Sequence, residues 1–162
     1  MGVEERARKI KLLLMDCDGV LTDGRLYFSV DGEAIKVFHA RDGQGIVDWH
    51  NAGFRSGIIS GRSSPIVALR AKQLGIEFVL QGRNEKISAF DEVLAAADVS
   101  ADEIAYIGDD TPDAAVMPRV GLAVAVGDAH EAVKAAAHHI TKLGGGSGAV
   151  RELIDLMLDA KK

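Results

Sequence analysis

The stretch Leu12-Leu13-Leu14-Met15-Asp16-Cys17-Asp18-Gly19-Val20-Leu21-Thr22-Asp23 joins a short apolar run to two acidic residues and a glycine. Four apolar residues bounded by polar ones are typical of a strand that is buried on both faces of a parallel sheet. Burying the carboxylate of Asp16 or Asp18 alone would cost much free energy, and a divalent cation with oxygen ligands would offset that cost. The pair is therefore a candidate magnesium site, although Asp and Gly are also common at ordinary strand-to-turn junctions.

The composition is that of a globular protein with one sizeable core. The chain has 162 residues, of which 48% are hydrophobic, and we expect a single domain over residues 1–162. The formal net charge is −5 and no basic run is present, which argues against nucleic-acid binding. No apolar stretch is long enough to cross a bilayer, and residues 1–8 are unlike a signal peptide, so we expect a cytoplasmic protein without a membrane partner.

A single cysteine, Cys17, excludes an intramolecular disulfide and fits a reducing compartment. The carboxylates on either side of Cys17 should raise the pKa of its thiol, and no histidine lies near it in sequence. We therefore do not expect a cysteine nucleophile. The five histidines show no metal-ligand spacing and are interpreted as structural or surface residues.

Short apolar runs and amphipathic stretches alternate along the chain. This alternation predicts an α/β fold with a doubly wound, mostly parallel, Rossmann-like sheet covered by helices on both faces. Strands are expected over residues 12–15, 55–60, 76–80, 104–108, 121–126 and 139–141, and helices over 42–51, after 64, from 84, after 111, over 132–137 and from 150. Helix starts are indicated by Ser64-Pro65, Thr111-Pro112 and the possible capping boxes Ser100 with Glu103 and Asp128 with Glu131.

Residues 25–39 interrupt this alternation with a predicted β-hairpin. Two short strand-like runs flank Asp31-Gly32, which is a strong short-range hairpin signal. An isolated hairpin is marginally stable in water, so we expect it to pack on another surface, such as the same hairpin of other subunits. The segment 144–148 is rich in glycine and is expected to be flexible.

Reactive side chains follow several predicted strands. The carboxyl ends of parallel strands meet at one edge of a sheet, where ligands bind, so we expect these side chains to converge. Each also has a structural explanation, since serine and glycine occur in turns and aspartates often begin helices. Lys86 is the exception, because an ammonium near a helix start opposes the helix dipole. The converging set is Asp16 and Asp18, then Ser60 with Gly61 and Arg62, then Lys86, and finally Asp109, Asp110 and Asp113.

This order of residues resembles the haloacid dehalogenase superfamily of phosphatases, over nearly the whole chain. The family signature DxDGxxT, a Ser or Thr, a Lys and GDDxxD is matched by residues 16–22, Ser60, Lys86 and residues 109–113. The resemblance implies that Asp16 is the nucleophile that forms an aspartyl-phosphate and that Asp18 is the general acid and base. It implies a Mg²⁺ cofactor held by Asp16, the backbone carbonyl of Asp18 and Asp109. Asp110 or Asp113 would orient the waters of the metal, and Ser60 and Lys86 would hold the phosphate.

A narrower resemblance concerns the members of that superfamily that lack a cap domain. Residues 18–24, 38–43, 60–62, 81–86 and 145–152 are similar to those of the 3-deoxy-D-manno-octulosonate 8-phosphate phosphatases. The resemblance implies hydrolysis of this sugar-acid phosphate in lipopolysaccharide biosynthesis by a homotetramer. The hairpins would meet at its centre, and a neighbouring subunit with the glycine-rich tail would cover each site. Residues 144–162 comprise the glycine-rich tail and the C-terminal helix.

Specificity is the least determined part of this interpretation. By resemblance, Gly61, Arg62, Arg70 and Arg151 bind substrate, and arginine suits a carboxylate because its donors form a fork. The related phosphatases of 2-keto-3-deoxynonulosonate 9-phosphate tend to carry an acidic residue where Arg62 stands, so a nine-carbon or broader sugar phosphate stays the alternative substrate. A signalling receiver domain is disfavoured because no aspartate follows the third strand, and an inactive scaffold because no required group is missing.

Overall fold

The computed structural model describes all residues, 1–162, and has an α/β architecture. Eight strands form: β1 (Leu12–Met15), β2 (Tyr27–Ser29), β3 (Gly32–Ile35), β4 (Arg55–Ile59), β5 (Phe78–Leu80), β6 (Ile104–Gly108), β7 (Leu122–Ala125) and β8 (His139–Ile140). Seven α-helices accompany them: α1 (Val3–Lys9), α2 (Ala40–Asn51), α3 (Pro65–Leu74), α4 (Lys86–Ala97), α5 (Thr111–Ala114), α6 (Glu131–Ala136) and α7 (Ala149–Asp159). No helix combines the length and the apolar character that crossing a membrane requires.

The central sheet has six strands in the order β5-β4-β1-β6-β7-β8, and every pair is parallel. The chain first builds outward from β1 to β4 and β5, then crosses to the other side of β1 to add β6, β7 and β8. This is the doubly wound, Rossmann-like arrangement predicted from the sequence, and it places the reversal of direction beside β1. All four residues of β1 are buried, and 39 buried apolar residues form one core.

The predicted start of α3 is confirmed. The Ser64 hydroxyl accepts a hydrogen bond from the backbone N–H of Ile66, and Pro65 occupies the first turn. Gly75 ends the helix in the left-handed conformation, at φ 70°, where a side chain would be strained. The local sequence therefore determines both ends of this helix.

Two other predicted caps are wrong. Asp110, not Thr111, caps α5, because its carboxylate accepts from the backbone N–H of Thr111. His130 caps α6, and Asp128 accepts instead from the backbone N–H of Gly145. In both places the hydrogen bond from a free backbone N–H at the start of the helix goes to a side chain one or two residues from the predicted cap. The sequence analysis also did not predict α1.

The glycine-rich segment, expected to be flexible, packs against the loop that follows β1. The N–H of Gly146 donates to the carbonyl of Val20 at 2.9 Å, and a Cβ at Gly145 would overlap the carbonyl of Gly19. Only glycine permits so close an approach of two backbones. The segment therefore supports the Asp16–Thr22 loop of its own chain.

Strands β2 and β3 form the predicted hairpin, apart from the central sheet. They are shorter than expected, and residues 36–38 are not in a strand. Apolar side chains on the hairpin and the residues beside it are exposed to solvent: Leu26, Tyr27, Phe28, Val30, Ile35 and Val37. This apolar hairpin surface, composed of these six residues, has no cover within the chain.

Candidate active site

The ends of β1, β4 and β6 bring the predicted residues to one edge of the sheet. Because β1 lies between β4 and β6, Asp16, Ser60 and Asp109 come together, and Lys86 enters from the start of α4. A cavity of about 270 Å³ opens there. Its walls include the predicted Asp16, Asp18, Ser60, Gly61, Arg62, Lys86, Asp109 and Asp110. The convergence expected from the sequence is therefore present.

The carboxylate of Asp16 is held at both oxygens. Oδ1 accepts from the N–H of Cys17 at 2.6 Å, and Oδ2 lies 2.9 Å from Nζ of Lys86. The side chain is largely buried, so this single backbone contact and one ammonium fix its direction. The thiol of Cys17 itself is buried, which together with the charge of Asp18 raises its pKa to about 12, as expected for a residue without a nucleophilic role.

Lys86 is buried between two carboxylates. Its Nζ lies 2.9 Å from Asp16 and 2.5 Å from Asp113, and 3.4 Å from the hydroxyl of Tyr106. Burial works to lower the pKa of Lys86, but the adjacent charges of Asp16 and Asp113 outweigh it and the pKa rises. Lys86 is therefore a fixed positive charge at the floor of the cavity.

Asp113 anchors this arrangement. Its Oδ1 accepts from Lys86 and, at 2.5 Å, from the hydroxyl of Tyr106, while Oδ2 accepts from the backbone N–H groups of Asp109 and Asp110 at 2.9 and 3.2 Å. Both oxygens are thus occupied and the side chain is fully buried. Asp113 therefore holds Lys86 and the loop after β6, and of the two residues expected to orient metal-bound water only Asp110 lines the cavity. That role stays a prediction for both.

The acidic cluster has the properties of a cation site. Carboxylate oxygens of Asp16, Asp109 and Asp113 lie within 4.8 Å of one another, and Oδ1 of Asp109 is buried without a hydrogen-bond partner. Burial and then Asp113 raise the pKa of Asp16 to about 7, and burial followed by Asp16 raises the pKa of Asp109 to about 8. Asp16 and Asp109 line the cavity and Asp113 does not, and Oδ1 of Asp109 has no partner, so the carboxylates of Asp16 and Asp109 are the ones that fit a cation.

A glycine makes room for this cluster. Gly19 has φ 88°, and a Cβ there would overlap the carboxylate of Asp109. The hydroxyl of Thr22 accepts from the N–H groups of Gly19 and Gly24, both at 3.2 Å, and so closes the loop. The spacing of the Asp-x-Asp-Gly-x-x-Thr motif thus follows from the shape of one turn.

The carboxylate of Asp18 faces away from the acidic cluster. Its Oδ1 accepts from Nζ of Lys36 at 2.5 Å, and Oδ2 lies 3.7 Å from Nε of Arg62. Arg62 also lies over the ring of Phe28 and 3.5 Å from Glu33. Asp18 is therefore at the cavity wall beside a positive group, in position to meet the substrate rather than to bind a metal through its side chain.

Four relevant residues were missed by the sequence analysis. Tyr106 is a polar side chain within a buried strand, and its need for a hydrogen-bond partner was the available signal. Lys36 comes from the hairpin and gave no signal of its burial. Arg83 and Asn84 line the cavity just before α4, where their position after a strand could have indicated them.

Arg70 and Arg151, predicted to bind substrate, do not reach this cavity within the chain. Arg70 lies over the ring of Phe38 at 5.7 Å, on a separate groove. Arg151 pairs with Asp155 at 2.9 Å and Asp48 at 3.4 Å on the surface of α7. Of the predicted arginines, only Arg62 lines the cavity.

Comparison with known proteins agrees with this geometry. Residues 66–153 match the family model of haloacid dehalogenase-like hydrolases. The 3-deoxy-D-manno-octulosonate 8-phosphate phosphatase of Yersinia pestis is 44% identical over 98% of this chain and 85% of its own length. A probable YrbI family phosphatase from Pseudomonas syringae has a TM-score of 0.96 at 48% identity, covering 98% of this chain and 90% of the other.

A third relative is described with its ligands. The structure of a 3-deoxy-D-manno-octulosonate 8-phosphate phosphatase from Moraxella catarrhalis, in complex with magnesium, phosphate and KDO, has a TM-score of 0.95. It is 37% identical and covers 98% of this chain and 91% of that one. The chain therefore belongs to the haloacid dehalogenase-like hydrolases and, among them, to the family of 3-deoxy-D-manno-octulosonate 8-phosphate phosphatases.

Proposed function

We propose that this protein is a magnesium-dependent phosphomonoesterase that releases phosphate from 3-deoxy-D-manno-octulosonate 8-phosphate. The observation that carries the proposal is the buried Asp16–Lys86 pair beside the partnerless oxygen of Asp109. Asp18 lines the same cavity. Such a site can bind a phosphate and a cation together. The named relatives supply the substrate.

Asp16, Asp109 and the backbone carbonyl of Asp18 would hold the metal. The orphaned Oδ1 of Asp109 and the raised pKa values of the Asp16 and Asp109 carboxyls fit a divalent cation, which would return both groups to their ionised form. When bound, magnesium supplies positive charge that offsets the charge of the substrate phosphate.

The reaction follows from the positions of two carboxylates. Asp16 attacks phosphorus, the bond between phosphorus and the sugar oxygen breaks, and Asp18 gives its proton to the departing oxygen. Water then attacks the phosphorus of the aspartyl-phosphate, Asp18 takes up a proton, and phosphate leaves with Asp16 restored. Lys86 keeps Asp16 directed at phosphorus, and Ser60 with the following backbone N–H groups holds phosphoryl oxygens.

Arg62 is the group proposed to choose among sugar acids. Its guanidinium lies at the cavity wall, 43% exposed, with donors that can form two parallel hydrogen bonds to a carboxylate. Arg70 and Arg151 stay predictions as substrate contacts, because each would have to act at the site of another subunit.

The assembly and location are proposed on narrower grounds. The apolar hairpin surface gathers six exposed apolar side chains in one region and would be buried if hairpins of several subunits met, as in the homotetramer expected from the family resemblance. A cytoplasmic location is proposed from the single reduced cysteine, which is buried.

The proposal is tested by measuring phosphate release from the octulosonate ester, its nine-carbon analogue and simple sugar phosphates, with and without magnesium. We expect the octulosonate ester to be preferred, and Asp16→Asn to lower kcat/KM by at least about 10⁴-fold. Asp23→Asn, an exposed acid outside the cavity, is the matched control and should keep its activity. Full activity in the Asp16→Asn protein would exclude the mechanism.

The same panel tests the choice of substrate. Arg62→Glu should weaken the eight-carbon activity more than the nine-carbon activity, because the phosphatases of the nine-carbon ester tend to carry an acidic residue at this position. Unchanged relative rates would remove Arg62 from the specificity argument while leaving the phosphatase itself in place.

A further inference from the structure

Lys36 is buried although it belongs to the exposed hairpin region. Its side chain is only 3% exposed, although the residue as a whole is half-buried, whereas its neighbours Ile35 and Val37 are exposed residues. Lysine is almost never fully buried unless it is paired, and apolar residues usually occupy the inner face of a hairpin. Here the usual arrangement is reversed: the charged side chain of Lys36 points inward and the apolar side chains beside it point to solvent.

The ammonium of Lys36 connects the hairpin to the loop after β1. Its Nζ lies 2.5 Å from Oδ1 of Asp18 and 3.0 Å from Oε2 of Glu33 on β3. Oε1 of Glu33 in turn accepts from the hydroxyl of Ser64 at 2.7 Å, the residue that caps α3. A continuous path of polar contacts thus runs from α3 through the hairpin to Asp18.

Lys36 lines the neighbouring groove with Phe38 and Arg70 and does not line the cavity, so we do not expect it to contact the substrate there. A role in the stability of the fold alone does not account for the burial of the Lys36 side chain. Burying a lysine costs about 2 kcal/mol of side-chain entropy, and replacing a buried ion pair by apolar groups is often neutral or stabilising. What an apolar residue could not do is hold one oxygen of a carboxylate at a fixed place.

We propose that Lys36 is a positioning residue that acts through Asp18. This inference rests on the proposed function, in which Asp18 gives a proton to the departing sugar oxygen and later takes one from water. Lys36 fixes Oδ1 and leaves Oδ2 for the proton transfer. Catalytic groups must be held within about 0.5 Å of their working position, and Asp18 otherwise stands on a loop. The hairpin is therefore part of the catalytic apparatus of its own chain.

The test uses two esters that differ in their need for a proton donor. A sugar alkoxide is a poor leaving group and requires the acid, whereas p-nitrophenolate leaves without a proton. For Lys36→Met we expect kcat/KM on 3-deoxy-D-manno-octulosonate 8-phosphate to fall about 10²-fold, the lower end of general acid catalysis, and on p-nitrophenyl phosphate less than about fivefold. KM should change little for either ester, because Lys36 does not touch the substrate. Equal losses on both esters, or no loss, would overturn the inference.

A double variant separates action through Asp18 from independent action. If Lys36 works only by holding Asp18, then adding Lys36→Met to Asp18→Asn should lower the octulosonate activity by less than about threefold further. A full multiplicative loss would show that Lys36 acts on another group. If Asp18→Asn itself fails to distinguish the two esters, the proposed role of Asp18 is wrong; if it does distinguish them and Lys36→Met does not, only the positioning role fails.

Two further variants keep the test decisive. Glu33→Gln weakens the support of Lys36 without removing it, and should give the same selective loss at about a tenth of the size; it carries the test if Lys36→Met does not fold. Lys134→Met removes an ammonium from α6 that pairs only with Glu131, and should leave both activities unchanged. Selective loss in Lys134→Met as well would contradict the assignment to Lys36.

Discussion

Two regions of the molecule differ in which side chains they bury: the edge of the sheet beside the cavity, and the hairpin. At the edge, charges are buried and paired, as with Lys86 between Asp16 and Asp113. On the hairpin, apolar side chains are exposed, with Phe28 at 60% and Val30 fully exposed. The paired charges find their partners within one chain, whereas the apolar side chains of the hairpin have no cover within it. Lys36 connects the two regions, because its ammonium reaches Asp18 from the end of the hairpin.

The largest expected effect comes from breaking the paired charges at the edge. Lys86→Met would leave Asp16 and Asp113 buried without a cation, and breaking such a pair typically costs about 3–5 kcal/mol of unfolding free energy. We also expect kcat to fall at least about 10²-fold, as for the loss of one electrostatic donor. Urea unfolding and phosphate release measure the two effects.

The matched control is a lysine of the surface. Lys134→Met removes a pair with Glu131, which is 86% exposed, and such pairs contribute about 0–1 kcal/mol. A loss of stability in Lys86→Met no larger than in Lys134→Met would mean that the buried charges at the edge do not depend on their lysine.

A second prediction concerns the cation that the edge is expected to bind. At a magnesium concentration of about 100 times Kd, binding should stabilise the folded state by about 2.7 kcal/mol. For a chain of this size that corresponds to a rise in Tm of about 5–10 °C, since each kcal/mol shifts Tm by about 2–4 °C. Thermal unfolding with magnesium and with a chelator measures the rise.

Asp109→Asn is the variant that tests the site of this effect. It removes the carboxylate of the cluster that has a buried oxygen without a partner, and should abolish most of the magnesium-dependent rise in Tm. It should also raise the Tm of the metal-free protein, because the repulsion of the Asp109 carboxylate by Asp16 and Asp113 disappears. An undiminished magnesium effect in Asp109→Asn would place the cation elsewhere.

The residues that line the cavity could be predicted from the sequence more fully than the buried contacts that hold them in place. Asp16, Asp18, Lys86 and Asp109 could be predicted because each follows a recognisable strand or begins a helix, so the fold alone brings them together. The role of Asp113 could not, because it depends on Tyr106, whose hydroxyl reaches it from within the core. Local patterns locate a side chain on an element but do not reveal its partner.

The hairpin shows the same limit. Asp31-Gly32 predicted the turn, but the alternation of residues 34–38 gave no sign that Lys36 would point inward and Ile35 and Val37 outward. That orientation depends on the attraction of Glu33, on β3 of the same hairpin, and of Asp18, which lies on the loop after β1. The two wrong helix caps have a similar origin, because Asp110 and His130 are adjacent competitors that propensity alone does not separate.

The smallest expected effect on the single chain comes from the hairpin tip. Val30→Ser should change the unfolding free energy of a dissociated subunit by less than about 0.5 kcal/mol, because the side chain makes no buried contact that could be lost. If hairpins meet in an assembly, the same change should weaken association, and a second change at Phe28→Ser should weaken it further. Sedimentation velocity over a range of concentrations measures the association. The control is Leu69→Ser, which likewise replaces an exposed apolar side chain by serine, but on α3 and away from the hairpin. An assembly unaffected by both hairpin variants would show that the exposed apolar hairpin surface does not hold subunits together, and the contrast between the two regions would then be one of burial alone.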